Sequence, residues 1–319
     1  MGQVPFVSTA EINAFVDRNL RNTIVDERFQ SKALLGIIRG TKRLIKEDGG
    51  SIISQPILAQ PNQTAITYSG ADVLPTDSQE EFTTYELQWK QAQVSVTINT
   101  IDKLRVSGKR AQLDLVKNKI ESAYMALFDK MGQQVYANGT GNSSKDWDGI
   151  GGGINNAAGF QVYLGIDRLA NPWWQAQVFN PGALTNLSTA SMMTLWMACK
   201  TDEERIHLIV ATKTGYATYW GLLTPQEWFV DPRVGNLGFE NIAFQGSALV
   251  DDSGCPSNTM YFVNLDHVRM VVHRDRNFDF DGFIRPINQD TDTGHVFVAG
   301  NFEVRKPASC GVYQNIANG

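Results

Sequence analysis

The feature that most constrains this chain is a run of apolar residues at helical spacing. Leu113, Val116, Ile120, Tyr124, Leu127, Met131 and Val135 recur at intervals of three or four, which puts them on one face of a helix. The pattern predicts an amphipathic helix from about Lys109 to Tyr136, opened by Ser107 as a cap and ended by Asn138-Gly139, residues that tolerate left-handed backbone. That is well beyond the usual helix length of about 11 to 12 residues. The seam stops after about four heptads and has no consistent flanking charges, so it predicts a structural spine rather than a coiled coil.

A helix of this length needs a body to bury its face against. The 319 residues supply about two ordinary domains, or one core with a large excursion. Hydrophobic residues at 42% and charged residues at 19% fit a globular chain rather than a disordered one. No stretch reaches the roughly 18 consecutive apolar residues of a spanning helix, and no basic-then-apolar leader opens the chain, so neither a membrane nor export is expected. Cys199, Cys255 and Cys310 are odd in number and far apart, which predicts buried, reduced thiols in a cytoplasm. The net charge of -5 offers no general attraction for nucleic acid, so any contact with DNA should be weak and nonspecific.

Ahead of the spine, two segments differ in texture. Arg28, Lys32, Arg39, Lys42, Arg43 and Lys46 lie in a stretch without Asp or Glu. There Phe29, Ala33, Ile37, Leu44 and Ile45 suggest short helices, weakened at Gly36 and Gly40 by up to about 1 kcal/mol each. Such a basic arm either docks onto an acidic neighbour or scaffold, or is a solvated helix face. From Ser51 to Thr100 the pattern is that of strands. Ile66 and Tyr68 on one side and Tyr85, Leu87 and Trp89 on the other predict a long hairpin, its tip between Ser69 and Ser78, where Gly70, Asp72, Pro75 and Asp77 favour turns. Apolar parity then switches to Ala92, Val94, Val96 and Ile98, which predicts a bulge near Lys90 or Gln91. The hairpin's apolar surface is left either to meet another subunit or to pack within its own domain.

After the spine, Asn138 to Gly159 reads as an irregular loop near a domain boundary. Beyond it, Asn186 to Lys200 reads as a helix, and Ile206 to Ala211, Ile242 to Phe244, Ala248 to Val250 and Met260 to Asn264 as strands. His295 to Ala299, Asn301 to Val304 and Cys310 to Tyr313 close the chain as strands. The fold class is α+β.

Candidate chemistry is thin. Gly149-Ile150-Gly151-Gly152-Gly153 lacks both the last glycine of a dinucleotide loop and the Gly-Lys-Ser/Thr of a phosphate loop. Asn277, Asp279 and Asp281 before Gly282 resemble the start of a calcium loop, but Asn288 stands where its bidentate Glu belongs; alternating acids on the wet face of a strand account for them. His207, His267, His273 and His295 show no zinc spacing, and no nucleophile elbow occurs. Trp173 and Trp174 with Asp167 could form a sugar platform beside a carboxylate, or an aromatic packing anchor. No catalytic, cofactor-binding or metal-ligating residue is nominated, and no cofactor is expected.

The order of these parts, and several short motifs, carry a resemblance. They are Asn138-Gly139-Thr140-Gly141, Asp148-Gly149-Ile150, Gly165-Ile166-Asp167-Arg168 and Asn171-Pro172-Trp173-Trp174. Further on come Leu208 to Thr212, Phe244 to Asp252, Cys255-Pro256, Tyr261 to Asn264 and Gly300-Asn301-Phe302. Together they cover most of residues 50–319, and the whole resembles the major capsid proteins of tailed bacteriophages, whose fold encapsulin shells share. The resemblance implies an N-terminal arm (1–50), an extended hairpin loop and the start of a peripheral domain (51–100), the peripheral domain with its spine helix (101–150), an axial domain (151–270) and a return to the peripheral sheet (271–319). It further implies a structural, non-enzymatic virion protein that self-assembles as hexamers and pentamers into an icosahedral shell around double-stranded DNA. Assembly in the host cytoplasm and a portal protein partner go with it. The roughly fifty residues before the hairpin are too few for the scaffolding segment of many relatives, so a separate scaffolding protein is expected. Lys90 and Lys103 lie near the hairpin, but no acceptor motif matches, so no covalent crosslink is expected. Arg28, Lys32, Arg39, Lys42, Asp72, Asp77, Tyr85 and Trp89 are the candidate interface residues. An encapsulin-like cargo compartment and a glycan-active enzyme or binding module are the alternatives.

Overall fold

The computed structural model describes residues 32–60, 62–106, 109–200, 204–223 and 242–317. Helix α1 (Ala33–Gly40) and strand β1 (Leu44–Glu47) come first. The hairpin strands β2 (Ile53–Leu58) and β3 (Phe82–Leu87) follow, then β4 (Lys90–Asn99), α2 (Thr100–Arg105) and the long helix α3 (Lys109–Gln134). Short strands β5 (Val162–Tyr163), β6 (Ile166–Asp167) and β7 (Gln177–Phe179) lead to α4 (Thr189–Cys199), β8 (Leu208–Ala211) and α5 (Lys213–Leu222). Seven strands end the chain: β9 (Ile242–Phe244), β10 (Ser247–Asp251), β11 (Met260–Val263), β12 (Val268–His273), β13 (Asp279–Ile284), β14 (Thr291–Val304) and β15 (Gly311–Tyr313).

Two sheets organise the molecule. In the five-stranded sheet, β14 pairs with β4 along one edge and with β13 and then β12 along the other, and β1 adds in parallel to β12. Helix α3 packs on β4, and Val116, Ile120, Tyr124, Leu127, Met131 and Val135 are all buried there, as their spacing predicts. The six-stranded sheet runs β7-β15-β11-β8-β10-β9. Its central strands are apolar at every position because both faces are covered. Leu208, Val210, Tyr261 and Val263 join the main core, while Ile209, Ala211, Met260 and Phe262 face a second core with Met192, Leu195, Trp196 and Tyr219 of α4 and α5. Ser188 and Thr212 cap those helices, accepting hydrogen bonds from Ser191 N (3.2 Å) and Gly215 N (3.1 Å).

The glycine run after α3 serves that helix. Carbonyls at a helix C-terminus lack intrahelical partners, and here Ile150 N donates to Val135 O (2.7 Å) while Gly152 N donates to Ala137 O (3.2 Å). A Cβ at Gly149 would lie 2.2 Å from Val135 O, and one at Gly151 would lie 2.1 Å from Tyr136 O. Only glycine lets the backbone approach so closely.

Several expectations need correction. Within the arm assigned to residues 1–50, the described part is built into the body: Leu34, Leu35, Ile37 and Ile38 of α1 are buried, and Leu44 and Ile45, expected to be helical, form β1. Asp252 holds α1 in place, its carboxylate accepting from Leu34 N at 3.0 Å near the helix N-terminus. The rising hairpin strand is Ile53–Leu58, not the segment around Ile66 and Tyr68, which lie exposed in the connecting loop. No bulge is needed near Lys90 and Gln91. The parity change falls in the two-residue break between β3 and β4, where the chain leaves the hairpin for the five-stranded sheet. The two strands expected at 295–304 are one, β14. The closing β15 joins the six-stranded sheet rather than the five-stranded one that holds β12, β13 and β14, because its backbone pairs with β11 and β7. Ser107, the expected cap of the spine, lies outside the described residues.

Candidate assembly surface

Among the described residues, strands β2 and β3 pair only with each other, in six residue pairs from Ile53↔Leu87 to Leu58↔Phe82. At the base, alternation turns Ile53, Tyr85 and Leu87 inward to full burial. Farther out, Leu58, Phe82, Tyr68 and Val73 are exposed, Val73 to 94%. Every residue from Ala71 to Glu80 is exposed. Local bonds order the tip: Asp72 accepts from Ser69 N at 2.7 Å, and its own N–H donates to Ser69 O at 2.9 Å.

The candidate interface residues therefore separate. Asp72 and Asp77 lie on the exposed tip. Tyr85 is completely buried in its own subunit and has no surface to offer a neighbour, which corrects its assignment. Its hydroxyl donates to Glu303 Oε2 (2.7 Å), and burial raises both groups, Glu303 against the opposing pull of that hydrogen bond and of Arg305 and Arg269. Trp89 is half-buried, its Nε1 donating to Gly50 O (2.9 Å) and its ring lying edge-on to His273. Lys32 is tied to Asp129 at 2.9 Å, Arg39 sits in the last turn of α1, and Lys42 is exposed in the turn beyond. Arg28 lies outside the described residues. Lys90 donates to Ser144 O, and Lys103 forms a buried ion pair with Asp292.

Where the two sheets meet, a polar network bridges them. Glu204 accepts from Lys306 Nζ (2.5 Å) and from Asn264 Nδ2 (3.2 Å), and lies 3.1 Å from His267 Nε2. Asp266 pairs with Arg43 (2.5 Å), and His207 sits 3.1 Å from Asn264 Oδ1. Burial alone would raise Glu204, but Lys306 and His267 hold it below its ordinary value; His207 and His267 are both lowered, chiefly by burial. This network borders a cleft of about 550 Å³ beside the outer end of β2, lined by Ile57, Leu58 and Trp173 together with Glu204, Asp266, Arg269, Arg305 and Lys306. These cations carry no local sequence signal, because Arg269 of β12 meets Arg305 and Lys306, just after β14, only in the fold.

The sugar-platform reading fails on geometry. Trp174 is buried, with Nε1 donating to Tyr163 O (3.0 Å), and Trp173 stands edge-on to it at 5.4 Å. Asp167 accepts from Leu169 N (2.8 Å) as a turn residue. Arg168, also buried, donates to the carbonyls of Gly152, Gly153 and Phe160 and lies over the Tyr163 ring, so this motif locks loops together.

A long helix packed on a five-stranded sheet, a second sheet buried under two helices and a free-standing hairpin define the fold of phage major capsid proteins. No protein-family model matches the chain, and no curated protein matches it. Among solved structures, the chain is similar to the capsid subunit of cyanophage A-1(L), with a TM-score of 0.69 and 18% identity over 89% of this chain and 92% of that one. It is also similar to the capsid of a native GTA particle (TM-score 0.58, 10% identity, 87% and 89% covered). The SrpI encapsulin of Synechococcus elongatus shares the fold (TM-score 0.52, 12% identity, 86% of each chain covered).

Proposed function

We propose that this chain is a structural shell subunit, assembling through many modest contacts as hexamers and pentamers into an icosahedral capsid around double-stranded DNA. The observation that carries the reading is the hairpin, whose apolar side chains Leu58, Tyr68, Val73 and Phe82 are left exposed among the described residues. The shared fold, the capsids named above and the acidic balance support it. A wall with net charge -5 would not hold phosphates tightly enough to impede packaging or release. Interfaces of this kind can bury well over about 2,000 Å² in total, and closed symmetry multiplies weak contacts into a stable particle. The reading assigns no residue to catalysis and places the protein in the virion, assembled in the host cytoplasm.

Electron microscopy and sedimentation of the protein expressed with and without a candidate scaffolding protein test this. Closed shells or capsomers are expected. A compact monomer at every concentration, under both conditions, would sink the reading. An enzyme copurifying inside the shells in place of DNA would instead favour the encapsulin-like compartment.

A further inference from the structure

The turn beyond the spine helix holds Asn138-Gly139-Thr140 in an arrangement with a chemistry of its own. Two donors converge on the side-chain carbonyl of Asn138, whose Oδ1 accepts from Thr140 N (3.2 Å) and from Thr140 Oγ1 (2.8 Å). Donors placed on a carbonyl oxygen polarise it and stabilise the negative charge that gathers there when a nucleophile adds to the carbon. The next residue supplies that nucleophile. Among the described residues nothing accepts the Gly139 N–H, and Asn138 Nδ2, on an exposed side chain, has no partner to hold it back as a leaving group. Gly139 is fixed in kind as well as in place. Its φ is +77°, and a Cβ there would overlap the Asp148 carboxylate, so the fold closes the position to every residue but glycine. Asp148 is itself held against it, Oδ2 accepting from Asn301 Nδ2 (2.6 Å) while its N–H donates to Asn301 Oδ1 (2.8 Å).

We infer that Asn138 is a site of spontaneous covalent modification, at which the Gly139 nitrogen closes a succinimide ring on the side chain and water reopens it. As the bond from Gly139 N to Asn138 Cγ forms, the amide proton passes to the Asp148 carboxylate or to water, and charge collects on Oδ1 between the two Thr140 donors. The Cγ–Nδ2 bond then breaks, and the nitrogen leaves as ammonia, taking up that proton. Water adds to the imide: opening at Cγ leaves an ordinary aspartate, and opening at the main-chain carbonyl leaves isoaspartate, with the backbone running through the side chain. No oxidant or reductant takes part. The inference goes beyond shell building and does not rest on it. Its product is not reversed by the protein, so it accumulates with the age of the chain, and it sets a new negative charge in a cleft of about 360 Å³ that Glu86 and Asp148 already line.

Mass spectrometry tests this on full-length protein kept folded at neutral to mildly alkaline pH and digested at intervals, with a digest at the start as background. The tryptic peptide Met131–Lys145 carries Asn142-Ser143 as well, so fragmentation assigns the site. Asn138 should gain the mass of an amide turned to an acid, part of it as isoaspartate, while Asn142 stays intact. Thr140→Val, which removes the hydroxyl donor at an exposed position and keeps the N–H, should slow the conversion several-fold. Asn138 that stays intact in the folded protein while the free peptide converts would overturn the inference. Aspartate without isoaspartate would overturn it too, because direct hydrolysis of the amide gives that product. An unchanged rate in Thr140→Val would show that the Asn-Gly pair reacts without help from the fold, which equally defeats it.

Discussion

At the scale of single residues, the positions that tolerate least change are those where backbone meets backbone. Gly149 is one, because a methyl group there would press on the Val135 carbonyl, which cannot rotate away as a side-chain tip could. Gly149→Ala should destabilise the subunit by about 1–3 kcal/mol, in the range of overpacked sites, seen as a lower denaturant midpoint with unchanged slope. Glu303 behaves in the opposite sense. Its burial raises its carboxyl in the folded chain, so the folded state prefers the proton. That contribution is complete below the ordinary carboxyl value and is lost as pH rises through the folded one. Glu303→Gln, which mimics the protonated acid and can still accept from Tyr85, should gain stability over wild type at neutral pH, with the gain fading near pH 4. Melting curves across this range check it, and an equal gain at both ends would rule out the titration.

At the scale of elements, the hairpin and the helix before it show how differently two segments can place their apolar residues. Helix α1 looks like a loose basic arm, yet its apolar face is buried and Asp252 pins its start. The hairpin tip does the reverse, making its hydrogen bonds within itself and leaving its apolar residues in solvent. Replacing Gly70 to Ser78 with an Asn-Gly turn should therefore leave subunit melting nearly unchanged, since the replaced residues lie in the loop beyond the paired strands and even halving a loop alters closure entropy by only about 0.6 kcal/mol. Few or malformed shells are expected by microscopy. Normal particles, or a subunit that no longer folds, would assign the tip a different task.

At the scale of the whole molecule, the two sheets are joined by the network of Arg43, Glu204, His207, Asn264, Asp266, His267 and Lys306. His207 and His267 are held below the ordinary histidine value, so the stability they contribute is present above about pH 6.5 and lost as pH falls through their folded values. Glu204 and Asp266, also lowered, extend the loss below about pH 4.5. Acidification should loosen the joint between the sheets before either core melts. Hydrogen exchange at the amides of His207 and His267 should rise between pH 7 and 5 ahead of the six-stranded sheet's interior, and a uniform rise would show that the joint is no weaker than the cores.

The spine was legible from its residues alone because helical periodicity is local: seven positions within some twenty residues state both the element and its buried face. The all-apolar strands of the six-stranded sheet were legible for the same reason, a doubly covered strand needing no partner's identity to declare itself. Strand partners were not. Which segment rises opposite Tyr85 depends on pairing across a long loop, and short runs such as Leu44–Glu47 and Val268–His273 suit helix or strand until a neighbour supplies hydrogen bonds. The glycine run after α3 acquires its meaning only from the helix end folded against it, and the charged cleft exists only because β12 and the residues just after β14 meet beside β2. Periodicity and apolarity act through neighbours in the chain; register, close backbone approach and charge clustering act through neighbours in space, and only the tertiary structure chooses those.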